Sequence, residues 1–310
     1  MCHRCGGDPH LPGDARQPLV PCLRPLPLGC GRTLPLVRDP MKPPLGSWEG
    51  RSTRIWADRL GVLTAEFHAR IGSTSDRARE LVEEGRPLPA IVLADRQLAG
   101  RGRQGRKWAS DTARGLWFTM ARPGSGNAVS TLPLRTGLAV ARALDAAAPG
   151  IRTEVKWPND VMLAGSKVGG ILCEHVRGAV LVGLGINLNQ PPEELPPGLV
   201  PPATSLLLHT GRPARRAFVL QRLADELAAV WDASAPEIPA GDLEELDARS
   251  ALRGRRLSVS GVVRHSSRPP RKVEALSATG GAVLADGALE IRDDTGVRLH
   301  VIAGSVAFRS

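Results

Sequence analysis

The apolar and polar residues alternate with clear periods from about residue 51 onward, and this pattern predicts regular elements there. The segment "STSDRARELVEEG" starts with hydroxyl caps, places Ala78, Leu81 and Val82 on one face and closes at Gly85, which predicts a helix. The short apolar runs "AIVLAD" and "GLWFTMA" have the length and the residue types of buried strands. We therefore expect a helix, a strand, a loop and a second strand in this part of the chain.

The middle of the chain combines one long helix with a series of strands. The segment "STLPLRTGLAVARALDAAAPG" is the longest helix candidate, with Leu134, Leu138, Ala141 and Leu144 at helical spacing. Four strand-like runs follow, joined by short turns: "RTEVKW", "VMLA", "KVGGILCEHV" and "AVLVGLGINLN". Because short turns favour antiparallel neighbours, we predict an α+β fold with helices on a mixed, mostly antiparallel sheet.

The two ends of the chain differ from its middle. Residues 1–50 are rich in proline and glycine and lack periodicity, so we predict a disordered extension, or a start placed too far upstream with Met41 as the alternative. The pattern of residues 214–250 predicts two more helices. They complete a main domain, the body, that spans residues 51–250. Short strands alternating with glycine turns then predict a small β-barrel over 251–310.

Composition narrows the class of protein. The chain has 310 residues, 42% of them apolar, which is enough for a real core. Aromatic residues make up 3%, which disfavours a stacking platform for single-stranded nucleic acid, whereas the net charge of +10 indicates an anionic partner. No apolar run reaches the roughly 20 residues of a membrane span, and the start lacks a secretory signal, so we expect a cytoplasmic protein without membrane contact.

Cysteine usage predicts neither a disulfide framework nor a metal site. Four of the five cysteines (Cys2, Cys5, Cys22 and Cys30) lie in the first 30 residues, and Cys173 lies in the predicted body. The spacing "CHRC" is half of a zinc motif, but Cys22 and Cys30 do not supply a second half. We assign no protein-side metal ligands.

The segment "GRGRQGRKW" concentrates positive charge between the two predicted strands. Arg101, Arg103, Arg106 and Lys107 repel one another, and the glycines leave a backbone that is costly to order. An anionic ligand would offset the repulsion, and glycines would let the backbone approach it closely. Taken alone, the segment could equally be a solvated basic loop or an arginine-glycine tract that contacts RNA.

Three further motifs carry polar groups at the ends of strands. "KWPND" places Asn159 and Asp160 on a corner fixed by proline, although a simple Asx turn would look the same. In "SKVGGIL", Gly169 and Gly170 are poor strand residues unless a flat ligand packs on the bare backbone or a β-bulge occurs there. "GLGINLN" ends in Asn187, either a ligand-binding amide or a turn residue.

Taken in order, "STS", "DRQLAGRGRQGRKW", "KWPND", "KVGGIL" and "GLGINLN" resemble the successive motifs of the biotin protein ligases. The resemblance runs from about residue 65 to 190 and more loosely through the C-terminal barrel, for which it implies an SH3-like fold. It implies ATP and biotin as substrates, with Mg²⁺, and a biotinyl-5'-AMP intermediate. The acceptor would be a lysine of a biotin carboxyl carrier protein or domain.

The resemblance also implies roles for individual residues. Catalytic roles fall on Lys167, Arg103 and Asp160, the last facing the acceptor lysine. The implied biotin-binding residues are Ser73, Thr74, Ser75, Gln97, Arg101, Gly102, Arg103 and Lys167. The implied adenylate- and ATP-binding residues are Arg101, Arg103, Arg106, Trp108 and Asn187. Family members commonly have Asn at the position of Ser75, so a contact with the biotin ring at this position is open.

Several alternatives follow from the same residues. Some members of the family carry an N-terminal DNA-binding module, for which the proline-rich residues before about 55 leave no room, so we expect no DNA binding. Edge strands could pair across a two-fold axis, which leaves a homodimer open. A lipoate protein ligase is the nearest other function, although its glycine motif is arranged differently. A basic nucleic-acid-binding module is the alternative from another class.

Overall fold

The structure is a computed structural model and describes residues 44–126, 130–230, 236–265 and 268–309. Most of the predicted N-terminal extension, including its four cysteines, lies outside the described residues. In chain order, the described helices are α1 (Thr53–Leu60), α2 (Thr74–Glu83), α3 (Leu132–Ala147), α4 (Leu206–Thr210), α5 (Arg216–Val230) and α6 (Ala240–Ala248). The described strands are β1 (Ser47–Trp48), β2 (Arg51–Ser52), β3 (Thr64–His68), β4 (Ala90–Ala94), β5 (Leu116–Pro123), β6 (Thr153–Lys156), β7 (Asp160–Leu163), β8 (Ser166–Val176), β9 (Ala179–Ile186), β10 (Arg256–His265), β11 (Arg268–Val283), β12 (Leu289–Asp293) and β13 (Arg298–Phe308).

A seven-stranded sheet forms the body, with the strand order β3-β4-β5-β9-β8-β7-β6. All neighbouring strands are antiparallel except β3 and β4, so the predicted mixed, mostly antiparallel sheet is confirmed. The strands β6 to β9 pair with their neighbours in the chain, as the short turns predicted. Strand β3 was not predicted, because "TAEFH" is short and carries polar residues. Helix α2 supplies the crossover that a parallel β3–β4 pair requires.

Helix α3 contributes to two hydrophobic cores. One side, including Val140 and Leu144, packs with the core of the sheet. Another side, including Leu134 and Leu138, packs with residues of the C-terminal strands such as Leu257. Apolar residues on more than one face explain why α3 is the longest and most apolar of the helices that the structure describes. Of the predicted extension, residues 44–50 are described, and Trp48 in β1 is buried in the core of the sheet.

The last four strands close into a ring in which every neighbouring pair is antiparallel, as predicted for the C-terminal barrel. Gly261 and Gly304 face each other across β10 and β13, and both have φ of 142°. A Cβ atom on Gly304 would lie 2.0 Å from the carbonyl oxygen of Ser260, so the strands approach here more closely than side chains permit. Among the described residues, no helix combines the length and the apolarity needed to cross a bilayer.

Candidate active site

One cavity collects nearly all the residues that the sequence singled out. It lies between the loop that joins β4 to β5, the first turn of α2 and strands β5, β8 and β9. The predicted site residues that line it are Thr74, Ser75, Gln97, Arg101, Gly102, Arg103, Arg106, Trp108, Asp160, Lys167 and Asn187. Ser73 does not line the cavity, but its side chain is buried and its Oγ has no hydrogen-bond partner. Residues as far apart in the chain as Thr74 and Asn187 thus converge because the central strands of the sheet are neighbours.

Buried hydroxyl and amide groups form one end of the cavity. The side chain of Gln97 is 8% exposed, and its Oε1 accepts hydrogen bonds from the backbone N–H of Thr74 (2.8 Å) and from the Thr74 hydroxyl (3.0 Å). Its Nε2 donates to Ser110 Oγ at 3.1 Å. Gln97 therefore satisfies the first turn of α2 where Ser73, at the cap position, makes no capping hydrogen bond.

Thr119 belongs to this buried group and was missed by the sequence analysis. Its Oγ1 lies 2.9 Å from Thr74 Oγ1 and 3.1 Å from Ser75 Oγ, and the residue is fully buried. Thr119 also lines the cavity. The available signal was a single polar residue inside the otherwise apolar run "LWFTMA", since a buried hydroxyl requires partners.

The arginine-glycine loop forms the cationic end of the cavity. The backbone N–H of Gly102 donates to the carbonyl of Arg106 at 2.7 Å, and that of Trp108 donates to the carbonyl of Gly100 at 2.9 Å. At the tip, Gln104 and Gly105 both adopt positive φ, 56° and 71°. These backbone hydrogen bonds close the loop on itself. The tight turn at its tip requires positive φ, which accounts for the glycine at position 105.

Arg103 is the most constrained cation of the loop. Its Nη1 donates to Asn159 Oδ1 at 3.1 Å, and its Nη2 donates to the carbonyl of Gly304, in the barrel, at 3.2 Å. The Asn159 amide is itself oriented by its donation to the carbonyl of Ile171 at 2.8 Å. Burial lowers the pKa of the Arg103 guanidinium, and the negative charge of Asp160 opposes this effect. Arg103 therefore reaches the cavity from a position set by both the sheet and the barrel.

Arg101, unlike Arg103, forms ion pairs with carboxylates of the described residues. Its Nη2 lies 2.7 Å from Asp76 Oδ1, on α2, and 3.5 Å from Glu174 Oε2, on β8. Glu174 also pairs with Arg79 at 3.0 Å. Arg101 thus ties the base of the loop to both walls of the cavity, and it also lines the cavity, so its role in ligand binding stays a prediction.

Two lysines face one carboxylate near the loop. Lys167 Nζ lies 2.5 Å from Asp160 Oδ1, and Lys156 Nζ lies 3.5 Å from Asp160 Oδ2. The Lys156 side chain is 6% exposed, and burial lowers its pKa, an effect that Asp160 opposes and the like charge of Lys167 reinforces. Lys156 was not predicted as a site residue, although it opens the motif "KWPND". One of the two positive charges is therefore left in excess at this position.

The glycines of β8 and β9 make room for Trp108. A Cβ atom on Gly185 would lie 2.4 Å from Trp108 Nε1, and one on Gly170 would lie 3.0 Å from its Cζ3. The flat group that packs on this bare backbone is thus the protein's own indole. Lys167 Nζ lies 5.3 Å from the centroid of the Trp108 ring, which is within the range of a cation–π contact.

A β-bulge also occurs here, as the alternative interpretation of "SKVGGIL" anticipated. Val161 pairs with Gly169 and Met162 with Lys167, so Val168 has no opposite residue on β7. In a regular strand, Lys167 and Gly170 would point to opposite faces. The bulge lets Lys167 and Gly170 line the same cavity.

Asn187 lines the cavity with part of its hydrogen-bonding capacity already used. Its Nδ2 donates to the carbonyl of Thr204 at 2.9 Å, and the residue is buried. We predicted that this amide contacts adenine. Because one of its donors is committed to the protein, Asn187 fixes the segment after Pro202 against β9 in addition to lining the cavity.

The residues around the cavity do not form a protein-side site for Mg²⁺. Asp160 is the one carboxylate among its lining residues, and two ammonium groups already occupy it. The described residues also contain no group of three or more His, Cys, Asp or Glu side chains that could hold a metal ion. Mg²⁺ usually binds through substrate phosphates and a small number of carboxylates, so this lining offers it no preformed cage.

Comparison with known proteins finds relatives by sequence and a solved structure of similar fold. Residues 67–190 match the Biotin/lipoate A/B protein ligase family. The biotin–acetyl-CoA-carboxylase ligase of Mycobacterium tuberculosis (strain H37Rv) is 35% identical over 235 residues, which cover 72% of this chain and 84% of that protein. The chain belongs to the biotin protein ligase family.

Other relatives extend over different shares of the chain. The bifunctional ligase/repressor BirA of Bacillus subtilis is 39% identical over 165 residues, and the chain spans about half of its length (50%). The biotin protein ligase of Aquifex aeolicus in complex with biotin and ATP superposes with a TM-score of 0.62 at 26% identity. That match covers 80% of this chain and 100% of the Aquifex chain.

Proposed function

We propose that this protein is an ATP-dependent biotin protein ligase. It would convert biotin and ATP into biotinyl-5'-AMP and pyrophosphate, and then transfer biotin to a lysine of a biotin carboxyl carrier protein or domain. The observation that carries the proposal is a single cavity with a buried, neutral, hydrogen-bonding end and a cationic end. An acid with a polar ring would place its ring at the hydrogen-bonding end. Its carboxylate would lie at the cationic end, together with the phosphates of a nucleotide.

In the first half-reaction, a biotin carboxylate oxygen forms a bond to the α-phosphorus of ATP, and the bond to the pyrophosphate oxygen breaks. The reactants are both anionic, so their approach requires positive charge around the reacting atoms. Lys167 and Arg103 supply this charge from opposite walls, the sheet and the loop. Because both side chains are held by hydrogen bonds before the ligand arrives, they need little reorganisation.

In the second half-reaction, the neutral amine of the acceptor lysine attacks the acyl carbon, an amide bond forms and AMP leaves. The acceptor begins as an ammonium group and must lose a proton. Asp160, at the β6–β7 corner, would orient the ammonium and accept that proton. Its two lysine partners would then exchange part of their contact with Asp160 for contact with the phosphate. The site roles of all these residues are part of the proposal.

Mg²⁺ would enter with the phosphates of ATP, because the described lining of the cavity contains one carboxylate, which two lysines already engage. A possible homodimer, the absence of DNA and membrane binding and a cytoplasmic location stay predictions, and a lipoate protein ligase is the alternative function. The relatives named as acetyl-CoA-carboxylase ligases support a carboxylase carrier as the partner.

The test is exchange of labelled pyrophosphate into ATP by the purified chain, with biotin, with lipoate and without acid. We expect exchange with biotin alone, followed by biotin incorporation into a carrier domain. A carrier domain with arginine in place of its acceptor lysine is the matched control and should remain unlabelled. Exchange with lipoate instead of biotin would replace this function by lipoate ligation. Exchange with neither acid would reject an acid-activating enzyme and favour nucleic-acid binding.

A further inference from the structure

The buried polar end of the cavity contains a chain of hydroxyl groups whose donor and acceptor roles can be assigned. The assignment begins at Gln97, because a backbone N–H can only donate. The Thr74 N–H donates to Gln97 Oε1, which fixes this atom as the amide oxygen. Donation from Nε2 to Ser110 Oγ is consistent, since Ser110 in turn donates to the carbonyl of Trp108 at 3.3 Å.

The next two steps follow because each hydroxyl has one hydrogen. Thr74 Oγ1 lies 3.0 Å from Gln97 Oε1. Because this oxygen carries no hydrogen, the Thr74 hydroxyl must be the donor. The contact between Thr74 and Thr119 must then use the hydrogen of Thr119. The contact between Thr119 and Ser75, at 3.1 Å, must consequently use the hydrogen of Ser75.

The last hydroxyl in the chain therefore faces the cavity as an acceptor. Ser75 lines the cavity, and its hydrogen is committed to Thr119. Gly183, which pairs with Thr119 from strand β9, leaves space beside the two hydroxyl groups. A Cβ atom there would lie 3.0 Å from Ser75 Oγ and 3.4 Å from Thr119 Oγ1. The protein thus offers lone pairs to a ligand at this buried position, where an unmatched polar group is costly.

We propose that Thr119 is a specificity-determining positioning residue: by accepting the Ser75 hydrogen, it makes Ser75 an acceptor that selects a ligand ring with an N–H donor. This inference rests on the proposed function and deepens it, because the ureido ring of biotin carries N–H groups and a dithiolane ring carries none. It also gives Ser75 a role despite its shorter side chain. A site built to bond a ligand N–H discriminates strongly against analogues that lack it.

The first experiment compares Thr119→Val, which removes the hydroxyl and keeps the shape, with Thr119→Ser, which keeps the hydroxyl. The KM for biotin in pyrophosphate exchange should rise about tenfold in Thr119→Val, with kcat changed less than about twofold. Thr119→Ser should stay within about twofold of the wild type. An unchanged KM in Thr119→Val, or an equal rise in both variants, would overturn the proposal.

The second experiment reads the direction of the hydrogen bond. Biotin is compared with two analogues in which one ureido N–H at a time is replaced by a ring oxygen, an acceptor of similar size. Wild type and Thr119→Ser should bind one analogue about 100-fold more weakly than biotin. In Thr119→Val the freed Ser75 hydrogen can turn to the ring oxygen, so this ratio should fall about tenfold. An equal ratio in all three proteins would reject the directional role.

The outcomes separate this inference from the proposed function. If the wild type shows no biotin-dependent exchange, the function itself fails. If it shows exchange but binds both ring-oxygen analogues as well as biotin, the function stands and the inference fails. This comparison needs only the wild type, so it remains decisive even where Thr119→Val does not fold.

Discussion

The two ends of the cavity recognise a ligand by different physical means. At the hydroxyl end, Thr74, Ser75 and Thr119 are at most 7% exposed, and each hydrogen bond has a defined direction. At the cationic end, Arg106 is exposed and its side chain contacts only the Arg103 carbonyl among the contacts described, at 3.4 Å. Buried hydrogen bonds specify shape and polarity, whereas partly exposed charges attract any anion of suitable size. Specificity is thus expected from one end and catalysis from the other.

The largest effect is expected where the cationic end meets the sheet. Lys167→Met keeps the aliphatic stem on Trp108 and removes the charge that faces Asp160. We expect exchange of pyrophosphate to fall about 10²- to 10³-fold, the range seen when one preorganised group at a reacting centre is removed. Lys272→Met, on the exposed face of the barrel, is the matched control and should leave exchange unchanged. Near-normal exchange in Lys167→Met would assign the chemistry to the loop alone.

A smaller loss is expected from displacing the Trp108 indole, which lines the cavity. In Gly185→Ala, the new methyl group would collide with Trp108, whose ring packs on the bare backbone of β9. We expect the KM for ATP to rise more than about tenfold, because the indole and the Lys167 ammonium beside it must move. Gly241→Ala, where a Cβ meets no atom within 4 Å, controls for the substitution type. An unchanged KM would remove Trp108 from the nucleotide site.

Arg103→Gly and Arg106→Gly compare a constrained cation with an exposed one in the same loop. Arg103 is held by Asn159 and the Gly304 carbonyl, so its loss should speed release of biotinyl-5'-AMP about tenfold. The loss of Arg106 should change the release rate less than about threefold. The measurement is the dissociation rate of the labelled adenylate, together with labelling of bystander lysines. Equal effects of the two variants would show that preorganisation does not matter at this end.

An effect smaller than that of Arg103→Gly should come from removing the ion pairs that anchor Arg101. The double variant Asp76→Asn and Glu174→Gln removes its carboxylate partners without touching the cavity's hydroxyl end. Partly exposed ion pairs contribute about 0.2–1 kcal/mol each, so adenylate release should rise about two- to fivefold at low salt and less at high salt. Asp286→Asn, which breaks the exposed 2.7 Å pair with Arg264 in the barrel, is the control. A salt-independent change would argue against an electrostatic anchor.

Much of the architecture was predictable because its signals are local. The strands β6 to β9 are joined by turns too short for anything but antiparallel pairing, and α3 has a long apolar pattern. The parallel β3–β4 pair was not predictable in the same way, because it depends on the packing of α2 across two distant strands. Thr119 was missed for a related reason: its partners are 44 and 45 residues away in the chain.

Periodicity and residue identity were enough to predict the fold class, the family motifs and the types of side chain available to the cavity. The tertiary structure decided what each group does. In the folded chain, Arg101 forms ion pairs with Asp76 and Glu174, and Trp108 packs on the glycine backbone. A β-bulge turns Lys167 toward the cavity. Hydrogen-bond direction and charge pairing depend on distances between residues far apart in the chain, and only folding sets those distances.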